Sequence, residues 1–153
     1  MTHPVEGTLL PVTHDLGAFQ VRRVLPARGL TMVGPFCFVD QFGPGNLEIG
    51  QGMDVRPHPH IGLSTVTYLM QGALHHRDSS GTDAWITPGE VNLMTAGHGI
   101  THSERTDGAA RQAPLTMFGL QTWLASSLAD EDAPASFHNR PQSALPLLEA
   151  EGK

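Results

Sequence analysis

Apolar residues recur at every second position in short runs along the chain, and Gly or Pro closes most of these runs. Alternation of this kind predicts β-strands with one face buried, and the Gly/Pro punctuation predicts turns between them. Residues 19–25 (FQVRRVL) read as an early strand, and residues 35–42 (PFCFVDQF) as a buried, aromatic one. The Gly-rich stretch 42–56 reads as a loop. Residues 65–70 (TVTYLM), 74–78, 84–87, 91–95 and 115–124 (LTMFGLQTWL) read as further strands. Between them Gly72-Ala73, the DSSGTD segment at 78–83 and Pro88-Gly89 carry strong turn chemistry. Ala96-Gly97-His98-Gly99 reads as a tight turn leading into a strand that holds His102. No helix of any length is predicted before residue 120, and residues 125–130 could make one turn. Many short strands at regular spacing predict an all-β fold, either a sandwich or a closed double-sheet jelly roll. From Ala129 to Lys153 the composition shifts to Pro, Ala, Asp and Glu, which predicts an arm, a linker or a frayed tail.

Two polar pairs stand out against this pattern. His58 and His60 are two residues apart, and so are His102 and Glu104. A strand repeats every two residues, so each pair can point both side chains to one face. Two such strands brought together would gather three imidazoles and one carboxylate around a point. That donor set suits Fe(II), Mn(II), Co(II), Ni(II), Cu(II) or Zn(II) without choosing among them, and the site charge with a divalent ion would be about +1. An octahedral ion would keep roughly two positions open, which points to chemistry. A structural zinc site would be closed and rich in Cys, whereas Cys37 is the single cysteine.

Each polar residue also has a plainer reading. His-X-His arises by chance in a chain with 9 histidines, and Pro57 and Pro59 could simply mark an exposed edge. His75 and His76 are adjacent, so on a strand one would line the interior and the other would face solvent. His98 reads as a loop residue between two glycines. His3, His14 and His138 read as solvated side chains, and Cys37 as a small core residue.

Composition narrows the function classes. A chain of 153 residues suits one domain. The formal net charge of −6 argues against a nucleic-acid or anionic-membrane surface. No apolar stretch approaches a membrane span, and the N-terminus lacks the basic and apolar regions of a signal peptide, so a cytoplasmic location is expected. One cysteine excludes an intramolecular disulfide.

A family resemblance becomes specific at these residues. Gly52, five residues, then His58-Pro59-His60, with Gly72 after the next strand, resembles the first motif of the cupin superfamily. The usual glutamate of that motif is absent, and Ser64 and Thr65 occupy the region. Gly89, five residues, then Thr95-Ala96-Gly97 resembles the second motif. Its usual histidine would fall at Ile100 but is displaced by two, to His102, and Glu104 joins it. That displacement resembles the pirin family. So do HPHIG at 58–62, MTAGHGITHSE at 94–104, FCFVDQF at 36–42, DSSG at 78–81 and GLQTW at 119–123.

The resemblance implies a cupin-type double-stranded β-helix (jelly-roll barrel) that binds Fe(II) through His58, His60, His102 and Glu104. Pirins resemble two stacked cupin domains of which the first binds metal. Residues 1–128 match the first, and 129–153 would be a C-terminal arm or linker remnant toward a second cupin that this sequence lacks. The implied activity is quercetin (flavonol) 2,3-dioxygenase, with Glu104 as both ligand and general base for the substrate's 3-hydroxyl. Phe36, Phe38 and Met94 are candidates to receive a flat aromatic ring. The alternative is a non-enzymatic iron-binding regulator acting on a transcription factor or a metabolic enzyme. A third reading keeps the metal in a degenerate single cupin without activity. The expected partners are a small aromatic substrate, a protein, and a second copy in a homodimer covering the exposed face; direct nucleic-acid and membrane contacts are not expected.

Overall fold

The computed structural model describes residues 7–17 and 19–147. Among them the chain forms eleven strands. In chain order these are β1 (Val12–Asp15), β2 (Gln20–Leu25), β3 (Phe36–Leu47), β4 (Asp54–His60), β5 (Leu63–Gln71) and β6 (Leu74–Asp78). They continue with β7 (Asp83–Ile86), β8 (Val91–Thr95), β9 (Ile100–Arg105), β10 (Leu115–Ala125) and β11 (Ser136–Arg140). Two single 3-10 turns, Ala110–Gln112 and Gln142–Ala144, are the helical pieces among the described residues. No helix there is long and apolar enough to cross a membrane.

The strands form two antiparallel sheets, one in the order β1-β2-β3-β10-β5-β8-β11 and one in the order β4-β9-β6-β7. The all-β class follows the strand spacing, and the two antiparallel sheets fit the jelly roll that the family resemblance implies. β9 lies between β4 and β6, and β10 lies between β3 and β5, so segments more than forty residues apart become neighbours. Both sheets contribute to one core of Val21, Phe42, Leu47, Met53, Leu69, Leu74, Ile86 and Met117. Leu69 and Leu74 have no exposed surface. Burial of such a side chain contributes roughly 1.5–3 kcal/mol.

Three segments depart from the sequence reading. The stretch 42–56, expected to be a loop, is largely strand: β3 runs on to Leu47, and β4 starts at Asp54. The Gly43-Pro44-Gly45 segment is a bulge in a continuing strand rather than a break. Gly43 takes a φ of +71°, and the β3–β10 register shifts between Met117 and Gly119. A Cβ at 43 would overlap the Met117 carbonyl oxygen, so this close approach needs glycine. The segment read as an arm is docked over part of its length. β11 pairs with β8 along all of Ser136–Arg140 and covers what would be an open edge. Residues 148–153 of that segment lie outside the described residues. Lastly, β1 carries no apolar alternation, and all four of its residues are exposed. Pairing with β2 is what makes it a strand.

Candidate metal centre

β9 alternates cleanly: Ile100, His102 and Glu104 are buried, while Thr101 and Arg105 are exposed. On one side β4 sets His58 directly opposite His102. On the other, β6 sets His76 opposite Glu104 and Asp78 opposite His102. Three adjacent strands thus turn polar side chains into one patch of the interior. His60, His76, His102 and Glu104 are buried, and His58 is half-buried. His75, beside His76, points the other way and stacks on Trp85 at 4.6 Å.

The patch holds two overlapping donor sets. His58, His60 and His102 place one ring nitrogen each within 4.8 Å of one another, and ring nitrogens of His76 and His102 lie equally close to one another and to a Glu104 carboxylate oxygen. His102 belongs to both. Glu104, expected beside the first three, stands with His76 because the opposite sheet holds its carboxylate. Gln121 Nε2 donates to its oxygens at 3.0 and 3.3 Å, and Thr67 Oγ1 donates at 3.3 Å.

Hydrogen bonds around the rings order their protons. His58 Nδ1 lies 2.8 Å from the Arg56 carbonyl oxygen, which can only accept, so Nδ1 carries the proton and Nε2 a lone pair. His76 Nε2 lies 3.0 Å from Asp78 Oδ2, so it donates. In a neutral ring His76 Nδ1 then accepts, and His102 Nδ1 at 3.4 Å donates to it. The remaining nitrogen of His102, Nε2, is left with a lone pair 3.1 Å from the lone pair of His58 Nε2. Two lone pairs at that distance repel unless a cation lies against both. The donor set therefore fits a divalent ion: three imidazoles with two unprotonated nitrogens converging, and a buried carboxylate next to them.

Burial works in the same direction. Desolvation, helped by neighbouring His58, lowers His60 to about 4. Desolvation, then the charges of His58, His60 and His76, lowers His102 to about 3 against the pull of Asp78. Burial alone would raise Asp78, but hydrogen bonds from Ser80, His76 and Thr82 outweigh it and bring it to about 2. The two histidines bind protons less readily in the folded state than in the unfolded one. The unfolded state therefore holds more protons between about pH 6.5 and 3, and stability rises with pH across that window. In metal-free protein the urea midpoint is expected to fall steadily from pH 7 to pH 4.5. Equal midpoints at pH 7 and pH 5 would contradict the burial of these rings.

Beside the histidines lies a cavity of about 700 Å³ that His58, Leu63, Gln121, Phe38 and Trp123 help to line. Phe38 and Trp123 stack at 4.1 Å and 14°, and His60 meets the Trp123 ring edge-on at 4.9 Å. Arg23 sits 4.4 Å from the Phe38 ring centre and forks onto Asp40 at 2.8 and 2.9 Å. The Trp123 indole N–H is buried without an acceptor among the described residues.

Of the three apolar residues expected around the ring of a ligand, Phe38 lines this cavity and the other two do not. Phe36 begins β3 and is 40% exposed. Met94 lies on β8, beyond β5 in the sheet, and packs with Ala96 and Ile100 in a separate small core. Gln121, Trp123 and Asp78 stand in the GLQTW and DSSG motifs that carry the resemblance but have no site role in the sequence reading; Thr67 has none either, and His76 enters only as one of an ambiguous pair. Strand alternation marks each as inward once its partner strand is known, but the sequence does not name the partner.

Comparison with known proteins places this geometry. The sequence model of the Pirin family matches residues 18–124, more than half of the chain. A pirin-like protein of Caulobacter vibrioides is 51% identical over 141 residues, which are 90% of this chain and 49% of that protein. A pirin-like protein of Solanum lycopersicum is 36% identical over 132 residues, 86% of this chain and 42% of that protein. The chain thus spans about half the length of the curated relatives it matches. A crystal structure of quercetin 2,3-dioxygenase from Acinetobacter baumannii superposes with a TM-score of 0.84 at 37% identity, over 94% of this chain and 46% of that one. With the matched residues spanning β2 to β10, and so every strand that feeds the histidine patch, the chain belongs to the Pirin family.

Proposed function

We propose that this chain binds a divalent first-row metal, with Fe(II) the favoured ion, and acts as a quercetin 2,3-dioxygenase on a flavonol-type substrate. His58, His60 and His102 would hold the ion, with Glu104, which neighbours His102 in the patch, as the fourth donor. The observation that carries the reading is the convergence of the His58 and His102 Nε2 atoms, 3.1 Å apart, beside an aromatic-lined cavity. The solved quercetinase with the same fold supports the choice of substrate class.

The bound metal would supply Lewis acidity and open coordination positions for the substrate's oxygen and for O₂. The chain's own residues do the rest. The stacked Phe38 and Trp123 rings give a flat apolar surface for a planar ring system. Glu104 would take the 3-hydroxyl proton. Gln121 and Thr67 hold its carboxylate in orientation, as a general base requires.

The alternative, an iron-binding regulator of another protein, draws on the exposed Leu30, Met32, Val33 and Phe36 around the β2–β3 connection. A homodimer draws on the exposed Leu10, Val12 and Leu16 along and around the β1 edge. Turnover separates enzyme from regulator. Iron-loaded protein mixed with quercetin in air is expected to bleach the flavonol and release carbon monoxide faster than an equal amount of free iron. Glu104→Gln is expected to lower that rate by about 100-fold or more while leaving the β-sheet circular dichroism unchanged. A rate no higher than that of free iron, with metal bound stoichiometrically, would remove the enzyme reading.

A further inference from the structure

His102 has two ring nitrogens, and only Nε2 faces His58. What lies behind Nδ1 is a second, fully buried line of hydrogen bonds. His102 Nδ1 is 3.4 Å from His76 Nδ1, and His76 Nε2 is 3.0 Å from Asp78 Oδ2. The His76 ring is 1% exposed and is clamped flat against Phe137, whose ring centre lies 4.5 Å away. The Asp78 side chain is buried too, although its backbone turns at the surface. Its other oxygen, Oδ1, accepts from Ser80 N at 2.8 Å, Ser80 Oγ at 2.6 Å and Thr82 N at 3.1 Å. Three donors from the DSSGT turn therefore decide which oxygen of Asp78 looks outward and which looks at His76.

We propose that Asp78, acting through His76, sets the tautomer of His102 and keeps its Nε2 free of a proton for the metal. Asp78 and His76 are positioning residues and not ligands. The alternative tautomer would put an N–H on His102 Nε2, 3.1 Å from His58 Nε2, and the two rings would hydrogen-bond to each other across the place the ion needs. Asp78 forbids that bond from three residues away, because a carboxylate has no proton to give His76 Nε2. The inference rests on the metal-binding reading above, and it adds the outer partners that orient a ligating histidine. Nothing in the spacing of the two polar pairs announces it, since Asp78 belongs to a segment that reads as a turn.

Asp78→Asn tests the chain of protons. The three turn donors hold the remaining oxygen at the Oδ1 position, so the new amide NH₂ faces His76 Nε2 and donates to it. His76 then carries its proton on Nδ1, donates to His102 Nδ1, and pushes the His102 proton to Nε2. Long-range ¹H–¹⁵N spectra of the metal-free proteins read this directly. His102 is expected to be protonated at Nδ1 in the wild type and at Nε2 in the variant. Anaerobic titration with Fe(II) is expected to give one ion per chain, with affinity lower in the variant by about 10–100-fold. A wild-type His102 protonated at Nε2 would overturn the proposal, and that measurement needs no variant to fold. Equal Fe(II) affinity in a folded Asp78→Asn protein would overturn it as well. So would two ions per wild-type chain, which would make His76 a ligand. If the wild type takes up no Fe(II), the metal reading fails while the tautomer spectrum still decides this one.

Discussion

His102→Ala protein is expected to retain no stoichiometric divalent metal after dialysis, whereas the wild type retains one ion per chain. His102 is the one residue shared by both donor sets, and its Nε2 is the nitrogen that opposes His58. Removing an outer partner of a ligand costs about 10–100-fold in metal affinity, and removing the ligand itself costs more than that. Thermal unfolding gives an independent readout. At a free metal concentration of about 100 times Kd, binding adds roughly 2.7 kcal/mol to the wild type, and the variant should gain none of it. For a chain of this size that is a difference in Tm shift of roughly 5–11 °C. The exposed loop histidine His98 supplies the control, since His98→Ala should behave as wild type in both assays. Metal content unchanged in His102→Ala would show that the donor set is wrongly assigned.

Gly97→Ala is expected to destabilise the protein by about 3 kcal/mol or more, which places it at the upper end of single substitutions. Two causes combine. Gly97 holds φ at +52°, where a side chain is strained, and a Cβ there would overlap the Ala133 carbonyl oxygen. That carbonyl cannot step aside freely, because it accepts a hydrogen bond from His98 N at 3.0 Å. The Gly97 carbonyl in turn accepts from Gly62 N at 2.9 Å. The turn before β9 is thereby tied to the turn after β4, so the end of the strand that carries His60 and the start of the strand that carries His102 share an anchor. Weaker metal binding should accompany the lower Tm. Gly108→Ala is the matched control. Gly108 has no atom near a built Cβ and no positive φ, so its midpoint in urea should stay within about 0.5 kcal/mol of wild type. A Gly97→Ala protein as stable as that control would refute the backbone argument.

The parts of the fold that were legible in the sequence are those where one residue type answers one local demand. Residues 74–78 and 91–95 were legible from the turns that flank them, Gly72-Ala73 and DSSGTD for the first and Pro88-Gly89 and Ala96-Gly97 for the second, and the observed β6 and β8 have those same bounds. The two polar pairs were legible from strand periodicity. A period of two is a property of the extended backbone, so His58/His60 and His102/Glu104 each share a face wherever their strands lie. Gly43-Pro44-Gly45 misled because glycine serves both a turn and a bulge, and only the partner strand β10 distinguishes the two. β1 and β11 were missed because edge strands owe their form to a neighbour's hydrogen bonds, and neither Val12–Asp15 nor Ser136–Arg140 has a buried alternating face.

The sequence by itself determined the all-β class and the shared facing of each polar pair, which follow from backbone periodicity and turn chemistry, both local quantities. The family was legible from the motifs it resembles. Only the tertiary structure decided that β9 lies between β4 and β6, and everything specific about the site depends on that order. It sets His102 against His58 on one flank and against His76 and Asp78 on the other, and it brings Gln121 and Thr67 from the opposite sheet onto Glu104. Which nitrogen of His102 keeps its lone pair is a property of that whole arrangement. The acceptors of His58 and His76 lie two residues away on their own strands, at the Arg56 carbonyl and at Asp78, but that His76 then meets His102 is decided by sheet order and not by sequence distance.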